Sequence, residues 1–136
     1  MIRIERNLIQ EADRVTHTAH LFGHHFPLHL EPLVYATAEH LSADYTGGYW
    51  EFYTLSNKAF YMAPSAEHRF HVIAENGFNG DLSADALGIT TCLYSYSYLS
   101  FSGILGFADT CAQQYHQLRE YALEHPEAGA ILAAID

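Results

Sequence analysis

A chain of 136 residues that is 49% hydrophobic and only 16% charged has the composition of a folded domain with a sizeable core, which excludes a disordered tail, and its length suits one domain. Six Lys and Arg against sixteen Asp and Glu give a formal net charge of −10, which excludes a general nucleic-acid binder working by phosphate neutralisation. Two cysteines, Cys92 and Cys111, are too few for a disulfide framework or zinc knuckle and read as buried free thiols; no apolar run suits a signal peptide or a membrane span, so a cytoplasmic location is expected.

Residues 1–30 read as an irregular N-terminal arm and residues 31–136 as the single domain. Residues 5–15 admit a short helix, but Gly23, Pro27 and five histidines make residues 17–29 look extended or irregular. From Glu31 the pattern sharpens. Pro32 suits the first turn of a helix, where its missing N–H has no partner, and Leu33, Val34, Ala38, Leu41 and Tyr45 recur at helical spacing over residues 32–44. Gly47-Gly48 ends that helix. Residues 49–55 are aromatic-rich and favour a half-buried strand; residues 59–62 run back after the turn at Ser56-Asn57-Lys58. Residues 69–74 alternate, with Phe70, Val72 and Ala74 on one side, and Asn76-Gly77 makes a tight turn into a short strand over residues 78–82. Ser83 followed by Asp85 is an N-cap with acid in the first turn, opening a helix over residues 84–101. Ser102-Gly103 and Gly106 interrupt it, a further helix covers residues 107–124, and His125-Pro126 stops that one before a short helix over residues 127–134. The expected fold is α+β: one domain with an antiparallel sheet of three to four strands packed against several helices.

Three kinds of chemistry compete for these residues. His20, His24 and His25, with His17 and His29 nearby in sequence and His68/His71 as a separate H-x-x-H pair, invite a metal site and hence a histidine-ligated hydrolase. Zinc needs three or four converging ligands, whereas Gly23 and Pro27 interrupt the helix that would align them and no metalloprotease-type base accompanies the pair. No serine occupies a nucleophile elbow, Cys92 lies among apolar neighbours, and the glycine pairs lack a phosphate-loop lysine, so neither a catalytic set nor a cofactor is expected. The acidic balance raises a module that occupies the DNA channel of a partner enzyme. A compact chain of this length spans roughly 37 Å, over which B-DNA carries ~22 charges; ten net charges scattered singly are better explained by solubility.

The block Asp44-Tyr45, Gly47-Gly48-Tyr49-Trp50, Phe52-Tyr53, Leu55-Ser56-Asn57 and Phe60-Tyr61-Met62-Ala63-Pro64 closely resembles the ArdB/KlcA antirestriction family. The resemblance continues through Asn76-Gly77-Phe78, Leu82-Ser83-Ala84-Asp85-Ala86, Gly88-Ile89, Tyr115-His116, Leu118-Arg119-Glu120-Tyr121, His125-Pro126-Glu127-Ala128 and Ala134-Ile135-Asp136, covering roughly residues 21–136. It implies a non-catalytic, single-domain protein of plasmids and other mobile elements that protects incoming DNA from type I restriction. The implied partner is the type I restriction-modification enzyme or a host factor linked to it, with neither sequence-specific DNA binding nor a membrane involved. The histidine-rich stretch departs from the family pattern, and Lys58-Ala59 stands where a glycine pair would be unremarkable.

Strand alternation leaves two choices for the aromatic run. Either Trp50 and Phe52 face the core while Tyr49, Glu51 and Tyr53 face outward or line a groove, or the reverse holds. Exposed tyrosine and tryptophan make good anchors for a protein partner. Asp44, Tyr49, Trp50, Glu51, Tyr53, Asp85 and Asp136 are therefore the candidate interaction residues. Helix-end roles compete for Asp44 and Asp85; Asp136, at the last position, has the stronger claim to an interaction.

Overall fold

Residues 3–136 are described by a computed structural model. In chain order they form β1 (Arg6–Leu8), α1 (Arg14–Phe22), α2 (Glu31–Leu41), β2 (Trp50–Leu55), β3 (Phe60–Pro64), β4 (Phe70–Ile73), β5 (Asn79–Leu82), α3 (Ala84–Leu99), α4 (Phe107–Leu123) and α5 (Ala128–Ile135). The α+β class holds, but the strands divide into two antiparallel sheets, β1-β2-β3 and β4-β5. The expected continuous meander is interrupted where Pro64 closes β3. In its place β1 joins the far edge of β2, pairing Arg6 with Leu55 and Leu8 with Tyr53.

The N-terminal segment is not an irregular arm. Instead of the helix expected over residues 5–15, it forms β1 and then α1, which leads through a wide helical turn at Phe26–Leu30 into α2. Gly23 takes φ +60°, a left-handed value that suits glycine, and caps α1 through its N–H on the Ala19 carbonyl. The widened turn then keeps the apolar residues in phase. Phe22, Phe26, Leu30, Val34 and Ala38 recur every four positions and all are buried, while His17, His20 and His24 face outward. Glycine and proline here redirect a helical path without ending it, and the exposed histidines mask the stripe beneath them.

The larger sheet is packed on both faces. On one, Phe26 meets Phe52 and Phe60 edge-on, with ring centroids 5.7 Å away in each case, and Phe22 meets Phe60 at 5.8 Å. On the other, α3 lies across β3 so closely that a Cβ at Gly88 would approach the Ala63 Cβ to 2.4 Å. The Tyr96 hydroxyl donates to the Phe60 carbonyl at 2.7 Å. This helix is buried on almost every side, so its polar side chains need internal partners. The hydroxyls of Thr90, Thr91 and Ser95 supply them by donating to carbonyls one turn back at 2.8, 2.9 and 2.8 Å. Cys92 and Cys111 are buried free thiols, each pushed up to about 12 by burial and hence inert.

The alternation of β2 is settled. Trp50 and Phe52 face the core and Glu51 and Tyr53 do not. Tyr45, expected on the α2 stripe, lies beyond the helix end but remains buried, its hydroxyl accepting from the Trp50 indole N–H at 3.0 Å. No helix among the described residues is long and apolar enough to cross a membrane.

Candidate functional site

The face of β2 that carries Glu51 and Tyr53 forms the floor of a cavity of about 360 Å³ beside the start of α3. Arg6 of β1 closes one side, Asp85 of α3 another, and Ser65 and Glu67 of the β3–β4 connection a third. Three candidate interaction residues, Glu51, Tyr53 and Asp85, are thus brought together from two elements. The cross-strand pairing of Tyr53 with Tyr61 explains the shape. Their rings stack with centroids 5.0 Å apart, and Tyr61 reaches on to Tyr121 of α4 at 5.8 Å, making an aromatic wall.

Asp85 is the polar centre of this region. Its Oδ1 accepts from Arg6 at 2.9 Å and from the Tyr61 hydroxyl at 2.8 Å. Its Oδ2 lies 2.9 Å from His125 Nε2. The Glu127 backbone N–H donates to His125 Nδ1 at 3.0 Å, which fixes the tautomer: Nε2 carries the proton and donates to Asp85. Both imidazole nitrogens are therefore engaged, leaving no lone pair to take a proton from a substrate. Burial pushes the Asp85 carboxyl up, but the hydrogen bonds from His125 and Tyr61 and the Arg6 charge outweigh it and hold the group below the ordinary carboxylate range. Burial and the neighbouring carboxylate push the Tyr61 phenol up, so it remains a donor.

The same corner is tied to the C-terminal turn. The Ser83 Oγ accepts from the Ala86 N–H at 3.1 Å, the cap expected from the sequence. Ser83 also donates through its hydroxyl and, at 3.0 Å, its backbone N–H to Glu127, and Arg69 meets Glu127 at 3.3 Å. The blocks Leu82-Ser83-Ala84-Asp85-Ala86 and His125-Pro126-Glu127-Ala128 are thus one spatial clamp on the start of α3. Asp85 stands in the first turn of α3 and from there also holds Arg6 at the cavity wall and Tyr61 behind it.

Other candidates lie elsewhere. Trp50 is 3% exposed, a core residue and not a surface anchor, because its indole N–H is satisfied internally by Tyr45. Tyr49 is 48% exposed, with the Arg14 guanidinium 4.8 Å from its ring centre. Asp44 accepts from the His71 backbone N–H at 2.8 Å and so blunts the outer edge of β4. Asp136 is exposed at the end of α5, near the point where the Asn76 amide caps the Ala133 and Ala134 carbonyls at 2.9 and 3.3 Å. His20 points outward on α1, while the His24 and His25 rings are 4.1 Å apart. Among the described residues no three His, Cys, Asp or Glu side chains are arranged to hold a metal ion.

Sequence reasoning missed Arg6, Tyr61, Glu67, His125 and Glu127 as parts of this corner. Tyr61, His125 and Glu127 fall within the motif blocks, which was a usable signal. Arg6 and Glu67 carried none, since only the pairing of β1 with β2 and the bend after Pro64 bring them near Asp85.

The antirestriction protein family matches residues 43–136. Antirestriction protein KlcA of Escherichia coli is 41% identical over 98% of this chain and 95% of its own length. A second Escherichia coli KlcA is 44% identical over 94% of this chain and 90% of its own. A solved structure from work on KlcA and ArdB superimposes with a TM-score of 0.90 at 38% identity, covering 100% of this chain and 99% of that one. That work reports a novel fold and antirestriction activity against type I DNA restriction systems in vivo but not in vitro.

Proposed function

From a chain that belongs to the antirestriction protein family, we propose an antirestriction protein that protects incoming mobile-element DNA from type I systems through protein–protein contact and without bond chemistry. The cavity beside Asp85 is the contact site in this reading. Glu51, Glu67 and Asp85 place three carboxylates around the Tyr53 ring. The one cation on the wall, Arg6, is already paired with Asp85 and lies 4.3 Å above that ring. Arg14 approaches Glu51 only to 3.8 Å. The remaining negative charge over an aromatic surface suits an inserted Arg or Lys side chain of a basic partner surface.

The observation that carries the non-catalytic part is the full engagement of His125, the one imidazole in contact with Asp85 at this cavity. The in vivo but not in vitro activity reported for the relatives favours a second participant, a host component absent from a purified reaction. The test is DNA cleavage by a purified type I enzyme, with and without extract of uninfected cells. The chain is expected to leave cleavage by the purified enzyme unchanged and to suppress it once extract is present. Suppression of the purified enzyme alone would replace the host component with direct contact, and suppression in neither arm would remove the reading.

A further inference from the structure

Neither face of the Tyr53 ring is free. The Tyr61 ring of β3 stacks on it with centroids 5.0 Å apart, and the Arg6 guanidinium of β1 sits 4.3 Å from its centre. Because β1 and β3 flank β2, these two neighbours lie on opposite sides of the ring. The contact site beside Asp85 is therefore already filled in part by a guanidinium, and it belongs to the chain itself. Its Nη1 donates to Asp85 Oδ1 at 2.9 Å and to the Tyr61 hydroxyl at 3.2 Å. One planar cation thus covers an aromatic face and meets a carboxylate at once. The compact, strongly hydrated ammonium of lysine does this less well.

The surroundings make this occupant replaceable. The Arg6 side chain is 41% exposed and that of Asp85 28%, and a pair held at such exposure gains little over solvated ions. The strand itself is anchored by backbone bonds: the Ile9 N–H donates to the Phe52 carbonyl at 2.8 Å and the Ser56 N–H to the Glu5 carbonyl at 2.9 Å. The side chain can therefore swing out while β1 stays paired. Asp85 keeps its hydrogen bonds from Tyr61 and His125 when Arg6 departs, so no carboxylate is left stranded. Glu67 on the same wall has no cationic partner among the described residues, and Glu51 has Arg14 only at 3.8 Å. A guanidinium arriving from solvent meets carboxylates that Arg6 leaves unpaired.

We propose that Arg6 is a built-in competitor for this site and that the group it stands in for is the guanidinium of a partner's arginine, an inference that rests on the cavity being the contact site for a basic partner. On entry of that group Arg6 leaves the Tyr53 ring and Asp85 for solvent. The incoming guanidinium takes both and gains Glu67. Such a competitor lowers apparent affinity by the fraction of molecules in which it has let go, so a single arginine binds weakly and one backed by further contacts displaces it.

Titration of the full chain with N-acetyl-arginine amide, followed by NMR at the Tyr53 ring and the Arg6 Nε–H, tests this. The parent is expected to bind with a Kd of about 1 mM or weaker, its Arg6 signal moving to the position of free arginine at saturation. Arg6→Gln should bind about tenfold more tightly. Arg3→Gln removes an equal charge from an exposed position outside the cavity wall and should bind like the parent. N-acetyl-lysine amide should bind Arg6→Gln at least about threefold more weakly than the arginine probe does. Equal affinity in the parent and Arg6→Gln, a gain matched by Arg3→Gln, or an Arg6 signal unmoved at saturation would overturn the competitor and leave the cavity a cation site. Equal binding of the two probes would overturn the choice of arginine. Binding of neither probe to any of the chains would overturn the competitor and the cation site together.

Discussion

Asp85 shows how one carboxylate can be both structural and functional. It holds Arg6, Tyr61 and His125 at hydrogen-bond distance, so its removal loosens β1, β3 and the α4–α5 turn together. Asp85→Asn is expected to cost about 2 kcal/mol at neutral pH, moderated because Arg6 is half-exposed; urea unfolding measures it. Because the folded protein holds this carboxyl below its ordinary value near 3.8, the unfolded chain takes up the proton first. The stability it contributes is therefore complete well above that value and is lost as pH falls through the folded-state pKa. Glu127, lowered against burial by its bonds from Ser83 and by Arg69, acts in the same direction. Melting temperature should fall on acidification below about pH 4, and less steeply in Asp85→Asn than in the parent. Lys58 is a simpler case. It occupies φ +78°, a left-handed conformation costing a side-chain-bearing residue about 1 kcal/mol. Its N–H donates to the Leu55 carbonyl and its own carbonyl accepts from Gln114. Glycine keeps both bonds, so Lys58→Gly should raise stability by up to about 1 kcal/mol in the same titration.

Among the elements, α3 organises the molecule, and Gly88 sets how near it lies to β3. A Cβ there would fall 2.5 Å from the Met62 carbonyl oxygen, which is backbone and cannot rotate away. Gly88→Ala should cost about 3 kcal/mol, near the upper end for overpacking; a melting curve checks it. The sequence marked α3 well, because Ser83 announced its start and the apolar run its course. It marked β2 and β3 equally well through aromatic content and the turn at Ser56-Asn57-Lys58. The N-terminal elements were hidden for a physical reason. Each buried phenylalanine or leucine from Phe22 to Leu30 is followed by a polar or helix-breaking neighbour, and only the wide turn at Phe26–Leu30 keeps the fourfold spacing on one face. β1 is three exposed residues whose strand character comes from pairing with β2, so no local pattern could reveal it. The cavity was half-legible. Tyr53 and Asp85 stood in the motif blocks and Glu51 followed from strand alternation, whereas Arg6 and Glu67 reach it only through tertiary structure.

At the scale of the whole molecule, the charge of −10 is unevenly placed. Carboxylates gather around the aromatic cavity near Asp85, while the end of α3 and the turn after it present an uncharged apolar surface. One fold thus offers two unlike faces, one suited to a basic partner and one apolar. Neither face requires a reactive group, and the tightly satisfied Asp85–His125 pair keeps the obvious candidate for chemistry fully bonded. In the proposed function, antirestriction is delivered through the first of these faces. Its most direct measurement is the plating efficiency of unmodified phage on cells carrying a type I system, comparing the parent chain with the charge-reversed pair Glu51→Lys and Glu67→Lys. The parent should restore plating, and the reversed chain, folded by circular dichroism, should lose at least about tenfold of that protection. Equal protection by both chains would contradict the account.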